Sequence, residues 1–167
     1  MAESLLITRN DLVKFTSLNA NVDTDKFVQY VKIAQDLHIQ NYTGSDLLNK
    51  IKTDIGNDAL TGDYLSLVTD YLKPMLIHWA MVEYLPFAAY TIANKGIFKH
   101  SSENATNADK DEIDFIIEKE RNIAQFYTER FVEYMSFNAS AKFPEYYSNN
   151  NEDMYPDKDA NFEGWVL

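Results

Sequence analysis

Residues 74–93 read PMLIHWAMVEYLPFAAYTIA, and this stretch decides the fold because apolar and aromatic side chains occupy nearly every position. His78 and Glu83 are its only side chains that can carry a charge near neutral pH, so a helix here is apolar almost all the way round and has to be buried. Pro86 lacks a backbone N–H and crowds the preceding turn, which predicts a kink over residues 82–86. Asn94-Lys95-Gly96 is typical of a helix end. We therefore predict a central helix over residues 74–93.

Further helical patterns surround this central helix. Thr8 or Asn10 is positioned to cap a short helix through Phe15, and the last helix, capped by Asn107 or Asp109, should run to about Asn138. The other segments with apolar residues at helical spacing are 24–38, 45–56 and 64–72. Whether residues 62–95 form one kinked helix or two stays open, because Pro74 fits a first turn or a bend. The fold class predicted is all-α, a bundle of about four to five helices.

Two segments depart from the helical pattern. Residues 96–108, GIFKHSSENATNA, form a long polar loop that is long enough for a functional role. Residues 143–167 are acidic and carry several aromatic residues, and we predict an extended arm there, distinct from a helical domain over residues 1–142. Such an arm either docks its aromatic side chains on another molecule, which we favour, or packs them back onto its own bundle.

Composition limits the function. The chain has 167 residues, a net charge of −11 and no cysteine, so disulfide and thiol chemistry are excluded. Such a negative charge disfavours wrapping of nucleic acid, because phosphate binding depends on cations. The start, MAESLLITRNDL, does not have the pattern of a signal peptide, so we expect a cytoplasmic protein. Prolines and titratable groups in residues 74–93 argue against a membrane span.

The sequence shows no recognisable set of catalytic residues. It contains no Gly-rich phosphate loop, no G-x-S-x-G elbow and no H-E-x-x-H zinc helix. His38, His78 and His100 lie in different predicted elements without ligand spacing, so we predict no metal and no cofactor. His78 is expected to be a hydrogen-bonded core residue, and Glu83 to pair structurally with a lysine or arginine. We therefore predict that the chain is not an enzyme.

The last helix carries two further patterns. Its apolar face is wider than one bundle contact needs, because Phe115, Ile123, Phe126 and Val132 widen the core stripe, and this predicts a neighbour on a second side. It also carries acidic and polar residues on one broad face, Asp111, Asp114, Glu118, Gln125, Glu129 and Glu133. That face is either simply solvated or a negative surface lining a passage for DNA, where like charge prevents adhesion.

Five stretches follow one another in the chain: AQDLHIQNYTGSDLLNKI (34–51), DYLKPMLIHWAMVEYLPF (70–87), ANKGIFKHSSENA (93–105), AQFYTERFVEYM (124–135) and FPEYY (143–147). In this order and spacing the sequence resembles the head–tail connector, or adaptor, proteins of tailed bacteriophages, and it is most similar to the ring proteins of crAss-like phages. The resemblance covers roughly residues 5–147.

This resemblance implies a homo-oligomeric ring, expected to be a dodecamer, at the neck of a virion assembled in a bacterial cytoplasm. Such a ring lies below the portal protein, contacts an adjacent neck or tail ring protein, and extends the channel through which DNA passes without specific binding. By this analogy the candidates for portal or subunit contact are Phe143, Pro144, Tyr146 and Tyr147, and Trp165 joins them on its chemistry. The candidate channel-lining residues are Asp114, Glu118, Glu129 and Glu133.

Two other functions remain open from the sequence. The first is an acidic helical regulator or interaction protein that binds a basic partner, with affinity that weakens in salt. The second is an enzyme, which requires a pocket where Glu83 and His78 converge. Self-association into a closed ring distinguishes the connector from both.

Overall fold

The fold is given by a computed structural model that describes residues 4–16, 24–88, 90–93, 96–99 and 109–162. Its α-helices are α1 (Arg9–Phe15), α2 (Thr24–Ala34), α3 (Gln40–Thr43), α4 (Ser45–Gly56), α5 (Gly62–Leu67), α6 (Lys73–Tyr84) and α7 (Lys110–Lys142). A π-helical segment, Gln35–Ile39, joins α2 to α3, and a second, Val68–Leu72, joins α5 to α6. The helical path is therefore continuous over 24–43 and 62–84, and the predicted all-α bundle is confirmed.

Helix α6 is the centre of the bundle. Its buried side chains point in all directions, and they are Met75, Leu76, Ile77, Trp79, Ala80, Met81 and Val82. Helices α2 and α7 both pack against it. Burial of each large apolar side chain contributes about 1.5–3 kcal/mol, so this one helix supplies a large share of the stabilising energy. The predicted burial of the central stretch is confirmed for α6.

Pro74 lies within one continuous helical path, shortly after the π segment Val68–Leu72. It has no N–H with which to bond the carbonyl oxygen of Asp70, four residues earlier, and Lys73 N–H instead bonds the oxygen of Val68 in the wider π pattern. Arg130 of α7 donates to the Asp70 oxygen at 3.0 Å. The carbonyl oxygen that Pro74 cannot bond is thus an attachment point for α7.

The central helix ends earlier than the sequence pattern predicts. The α-helix stops at Tyr84, a 3₁₀ turn follows over Leu85–Phe87, and strand β1 begins at Tyr90. Pro86 ends the helix where a kink was predicted, because its ring and missing donor disrupt the turn that begins near Val82. The prediction of a helix was therefore wrong for residues 90–93, which form a strand.

A short antiparallel hairpin occupies part of the predicted loop. Strands β1 (Tyr90–Ala93) and β2 (Gly96–Lys99) pair with Tyr90 opposite Lys99 and Ala93 opposite Gly96. Gly96 therefore begins a strand, where a helix end was predicted. The rest of the loop, residues 100–108, lies outside the described residues.

Capping boxes begin the first and last helices. Thr8 and Asp11 exchange side-chain and backbone hydrogen bonds at α1, and Asp109 and Glu112 do the same at α7. Each box satisfies two backbone N–H groups that a helix start leaves unpaired. Thr8 and Asp109 were both among the predicted caps. Helix α7 runs four residues beyond the predicted Asn138, to Lys142.

Candidate interaction surfaces

The predicted acidic residues of the last helix do share one side of α7. Asp114, Glu118, Glu129 and Glu133 are all exposed, and at 100° per residue they fall within an arc of about 100°. From the first to the last they span about 28 Å of helix. Lys110 Nζ lies 3.9 Å from the Asp114 carboxylate, and both of these side chains are largely exposed. We call these four residues the acidic row.

The first half of the acidic row borders a groove between α6 and α7. The groove has a volume of about 570 Å³ and its charged lining residues are Glu83, Asp114, Glu118 and Arg121. Three carboxylates and one guanidinium give the groove a net negative charge, so it favours a cationic ligand over an anionic one.

Glu83 is paired, but with a histidine. Its Oε1 lies 2.9 Å from Nε2 of His38, which belongs to the π segment after α2. The His38 ring stacks on Trp79 with 3.8 Å between ring centroids. Burial lowers the pKa of His38 and Arg121 adds to this, while Glu83 opposes it. Glu83 was predicted to pair with a lysine or arginine, and its partner is instead His38.

His78 lies on another side of α6 and binds α7. Its Nδ1 lies 2.7 Å from Oε2 of Glu120, and its ring stacks on Tyr127. Beside it, Trp79 Nε1–H donates to Thr128 Oγ1 at 3.0 Å. The enzyme hypothesis requires His78 and Glu83 to converge on one pocket. They instead bind different partners, Glu120 and His38, on different sides of α6.

Two searches of the described residues bear on ligands and membranes. In the ranges described above, no group of three or more His, Asp and Glu side chains is arranged to hold a metal ion. None of the helices described is long and apolar enough to cross a membrane.

The contact residues predicted after α7 separate into two sets. Phe143 and Tyr146 are 0% and 2% exposed and belong to the core, so they have no free surface for a partner. Phe143 packs edge-on against Tyr64 at 5.2 Å, and burial raises the pKa of Tyr146 to about 12. Pro144 and Tyr147 are exposed. Trp165 lies outside the described residues.

The rest of the C-terminal segment docks where α3 meets α4. Ser45 N–H donates to the Met154 oxygen at 3.0 Å, and Asp157 N–H donates to the Asn41 oxygen at 2.8 Å. These two backbone bonds attach the tail on both sides of Gly44. For residues 143–162, the favoured hypothesis of an arm docked elsewhere was therefore wrong, and the alternative of packing on its own bundle holds.

Side chains reinforce this docking. Asp153 Oδ2 accepts from Ser45 Oγ at 2.6 Å, and Asp46 Oδ2 accepts from Ser148 Oγ and from Asn150 N–H at 2.7 and 2.9 Å. The two bonds to Asp46, that from Asn150 first, lower the pKa of its carboxyl. The start of α4 thus anchors the tail through charge-assisted bonds, which are stronger than neutral ones.

Among the residues that the structure describes, none covers the second side of the last helix, where a neighbour was predicted. Phe115 and Phe126 are each 59% exposed and Ile123 is 40% exposed, although Val132 is partly buried. Sequence reasoning treated these residues as a widened core stripe and missed Phe137, which is 78% exposed. The signal was the spacing of 11 residues from Phe115 to Phe126 to Phe137.

These features define an all-α bundle protein whose most distinctive described surface is the exposed side of its longest helix. A family profile described as a family of unknown function, DUF6712, matches residues 39–155, and the chain belongs to this family. The matched range includes α6, α7 and most of the docked tail. No curated protein and no solved structure matches the chain.

Proposed function

We propose that this chain is a structural virion protein, a subunit of a head–tail connector ring below the portal. The ring extends the DNA channel and joins the capsid to the tail, and it resides in the virion neck after assembly in the host bacterial cytoplasm. The proposal includes no catalytic step and no cofactor. Its support from the sequence is the resemblance to phage connector proteins.

The observation that carries the proposal is the exposed acidic row of α7. Asp114, Glu118, Glu129 and Glu133 present carboxylates along about 28 Å of a rigid helix, on a chain of net charge −11. A ring that repeats this row around its axis presents a negative wall to the phosphates. A carboxylate and a phosphate about 10 Å apart in water repel by only about 0.4 kcal/mol before screening. Each repulsion is too weak to block the passage of DNA. Many such carboxylates around the ring together prevent DNA from adhering to the wall.

The tail residues that keep exposed surface are the remaining candidates for portal contact. Tyr147 is 46% exposed and Pro144 is exposed, and Trp165 stays a candidate on its chemistry. The tail is held against α4 by the bonds of Ser45 and Asp46, so Tyr147 is presented by a fixed segment. Pre-ordered contacts of this kind bind with a smaller entropic cost.

Native mass spectrometry of the chain mixed with the portal protein of the same phage tests the assembly. The proposal predicts a closed complex with one ring of this chain, expected to be twelve copies, on the portal. Tyr147→Ala should weaken the complex, while Phe15→Ala is a control, because Phe15 is 57% exposed and lies on α1, outside the proposed contact. A portal that binds no copies contradicts the proposal.

Charge reversal of the acidic row tests the channel. Replacing all four carboxylates by lysine should spare the fold, because all four are exposed, and should slow DNA passage. The matched amide variants, with Asn at 114 and Gln at the other positions, keep the shapes and should fall between the native protein and the lysine variant. Equal DNA release by all three proteins, or lysines that lie on the outside of an assembled ring, removes the channel assignment.

The second candidate is an acidic interaction protein that binds a basic partner, and the net charge of −11 favours it. It predicts a complex of low order whose affinity falls as salt rises, because surface charges are screened within about 8 Å at physiological ionic strength. A salt-resistant ring on the portal excludes it.

A further inference from the structure

The side of α7 that points away from the core carries an exposed apolar face. Phe115, Phe126 and Phe137 are 59%, 59% and 78% exposed, and Ile116 and Ile123 are 44% and 40% exposed. We call these five residues the phenylalanine face. Eleven residues make close to three helical turns, so the three rings lie nearly in line over about 33 Å. Single exposed apolar residues are ordinary, but an aligned set marks an interaction site.

Two charged residues lie in line with the rings, at symmetric positions about Phe126. Lys119 lies seven residues before it and Glu133 seven residues after it, while Phe115 and Phe137 lie eleven residues before and after it. At 100° per residue all five fall within an arc of about 40°. Both charged side chains are exposed, and Lys119 Nζ lies 5.5 Å from the centre of the Phe115 ring. Along the helix the order is therefore phenylalanine, cation, phenylalanine, anion, phenylalanine.

This order is self-complementary in one orientation only. When two copies of α7 pack antiparallel about Phe126, Lys119 of each copy lies opposite Glu133 of the other, and Phe115 of each lies opposite Phe137 of the other. Parallel packing would instead place lysine against lysine and glutamate against glutamate. Like charges across an interface are unfavourable, whereas opposite charges fix its register. The charge pattern therefore selects the antiparallel pairing of two copies.

The charges that flank the face are compatible with this pairing. Arg130 lies beside the rings, but it donates to the Asp70 oxygen and its guanidinium lies 4.6 Å from the Tyr71 ring centre, so its charge is held on its own bundle. Glu129 lies on the other edge, where the antiparallel register places it opposite the neutral Asn122. Helix α7 as a whole has seven acidic residues against five basic ones, and repulsion between such exposed charges is screened by salt.

The area of the phenylalanine face is large enough for a specific dimer. At about 200 Å² for a fully exposed aromatic side chain, the three rings expose roughly 400 Å² per copy. With Ile116 and Ile123, two paired faces bury about 1,000 Å² in total, which is the lower bound for a specific interface. The expected contact is therefore reversible, with an apolar centre and one opposite-charge pair on each side of it.

We infer that the phenylalanine face of α7 binds the same face of a second copy of this chain, antiparallel, with Phe126 on the two-fold axis. The contact is isologous, since both copies contribute the same residues, and it forms a closed dimer that does not extend into a ring. The dimer covers Glu133, which the proposed ring presents to DNA. The dimer is thus a form of the free chain that separates before ring assembly. This inference goes beyond the proposed function and does not depend on it.

Cross-linking tests the orientation, because the chain has no cysteine. Asp111 and Ser140 are exposed near the two ends of α7. Antiparallel pairing places Asp111 of one copy beside Ser140 of the other and keeps identical positions more than about 40 Å apart. A short bis-maleimide should therefore link an Asp111→Cys chain to a Ser140→Cys chain and should link neither variant to itself.

Thr53→Cys, exposed on α4, measures random collision when it is mixed with Ser140→Cys. Self-linking of Asp111→Cys or Ser140→Cys, or a mixed yield equal to that of the collision control, overturns the antiparallel pairing.

Charge reversal tests the pairing of Lys119 with Glu133. Lys119→Glu and Glu133→Lys each place like charges at both symmetric contacts, so each should weaken the dimer about tenfold in sedimentation equilibrium. The double variant restores opposite charges at both contacts and should dimerise like the native chain. Lys110→Glu, the same change at an exposed position on another side of α7, should leave the dimer unchanged. A double variant as weak as the single variants contradicts the pairing.

Truncation of the central ring tests the apolar contact. Phe126→Ala removes two rings from the centre of the dimer and should weaken it at least tenfold, the loss expected for an interface aromatic. Phe15→Ala is the matched control, because Phe15 is 57% exposed but lies on α1. Circular dichroism checks that each variant keeps the native fold.

Two results of this experiment overturn the inference. One is a dimer that Phe126→Ala does not weaken. The other is a native chain that stays monomeric at about 1 mM, where a contact with Kd of about 1 mM is substantially populated.

The inference and the proposed function can fail separately. A ring seen on the portal, formed by a chain that is monomeric when free, retains the connector function and removes the dimer. An antiparallel dimer of a chain that forms no ring at the neck retains the dimer and removes the connector function.

Discussion

Replacing Gly44 by alanine should destabilise the protein much more than the same change at Gly62. Gly44 has φ 73° and ψ 163°, a region that is essentially restricted to glycine. A Cβ atom there would lie 2.8 Å from Cδ of Pro156 in the docked tail. Gly62 also has a positive φ, 58°, but a Cβ there meets no atom within 4 Å. Gly62→Ala is therefore a control for backbone strain without a tail contact.

The magnitudes follow from these two differences. Backbone strain of this kind costs about 1–3 kcal/mol and overpacking about another 1–3 kcal/mol, so Gly44→Ala should cost about 2–6 kcal/mol. Gly62→Ala should cost about 1–2 kcal/mol, the left-handed penalty alone. In a chain of this size each kcal/mol lowers Tm by about 2–4 °C.

A double-mutant cycle with Pro156→Ala isolates the tail contact. Removing the proline ring relieves the overlap but leaves the strain of the Gly44 backbone. The Gly44→Ala change should therefore cost at least about 1 kcal/mol less in the Pro156→Ala background, as expected for residues in contact.

Urea unfolding followed by circular dichroism measures all four proteins and Gly62→Ala. An unchanged m-value shows that each variant changes stability without changing the denatured state. Equal costs at the two glycines, or a Gly44→Ala cost that does not depend on Pro156, refute the docking of the tail at the α3–α4 junction.

Three further predictions concern the core, the tail and pH. Thr128→Val should cost about 1–3 kcal/mol in urea unfolding, because it leaves the buried Trp79 N–H unpaired, and Thr128→Ser should cost less; equal costs contradict the role of the hydroxyl. Deletion of residues 143–167 should destabilise the bundle by several kcal/mol, because it removes the buried side chains of Phe143 and Tyr146. Deletion of residues 148–167 keeps both side chains and should cost less. Equal Tm values for the two truncated proteins contradict this prediction. The fold lowers the pKa of Asp46 below its usual 3.8, so its stabilisation is fully present above that value and is lost as pH falls through the folded pKa. Asp46→Asn should therefore flatten the loss of stability as pH falls below about 4, and parallel curves for the two proteins rule out this contribution.

The sequence predicted the elements whose causes are local. The apolar run through Val82 predicted a buried helix because no face of it is polar, and Thr8 and Asp109 were recognised as caps because capping needs only residues three positions apart. The predicted segment 45–56 coincides with helix α4, Ser45–Gly56. Pro86 signalled a disruption, although a kink was predicted and the helix ends instead.

The failures are those that depend on distant contacts or on competing local preferences. Tyr90 to Ala93 continued the apolar run of the central helix, but Thr91 and Ile92 are β-branched and pair with a strand seen only after residue 96. The docking of Pro156 over Gly44 joins residues more than a hundred positions apart, so no local pattern shows it. His38 was not predicted as the partner of Glu83, because two helices must first pack to bring them together.

The exposed side of α7 was predicted in part. The acidic row follows directly from helical periodicity, because α7 is one unbroken helix. The exposure of Phe115, Phe126 and Phe137 does not follow from it, since periodicity alone does not tell an interface stripe from a widened core stripe. The packing of α6 against only one side of α7 decides between them.

Electron microscopy of the virion neck tests the central claim most directly. We predict a closed ring of this chain on the portal axis, with Asp114, Glu118, Glu129 and Glu133 facing the channel. A neck without density for this chain, or a ring with the acidic row turned away from the DNA, contradicts the proposed function.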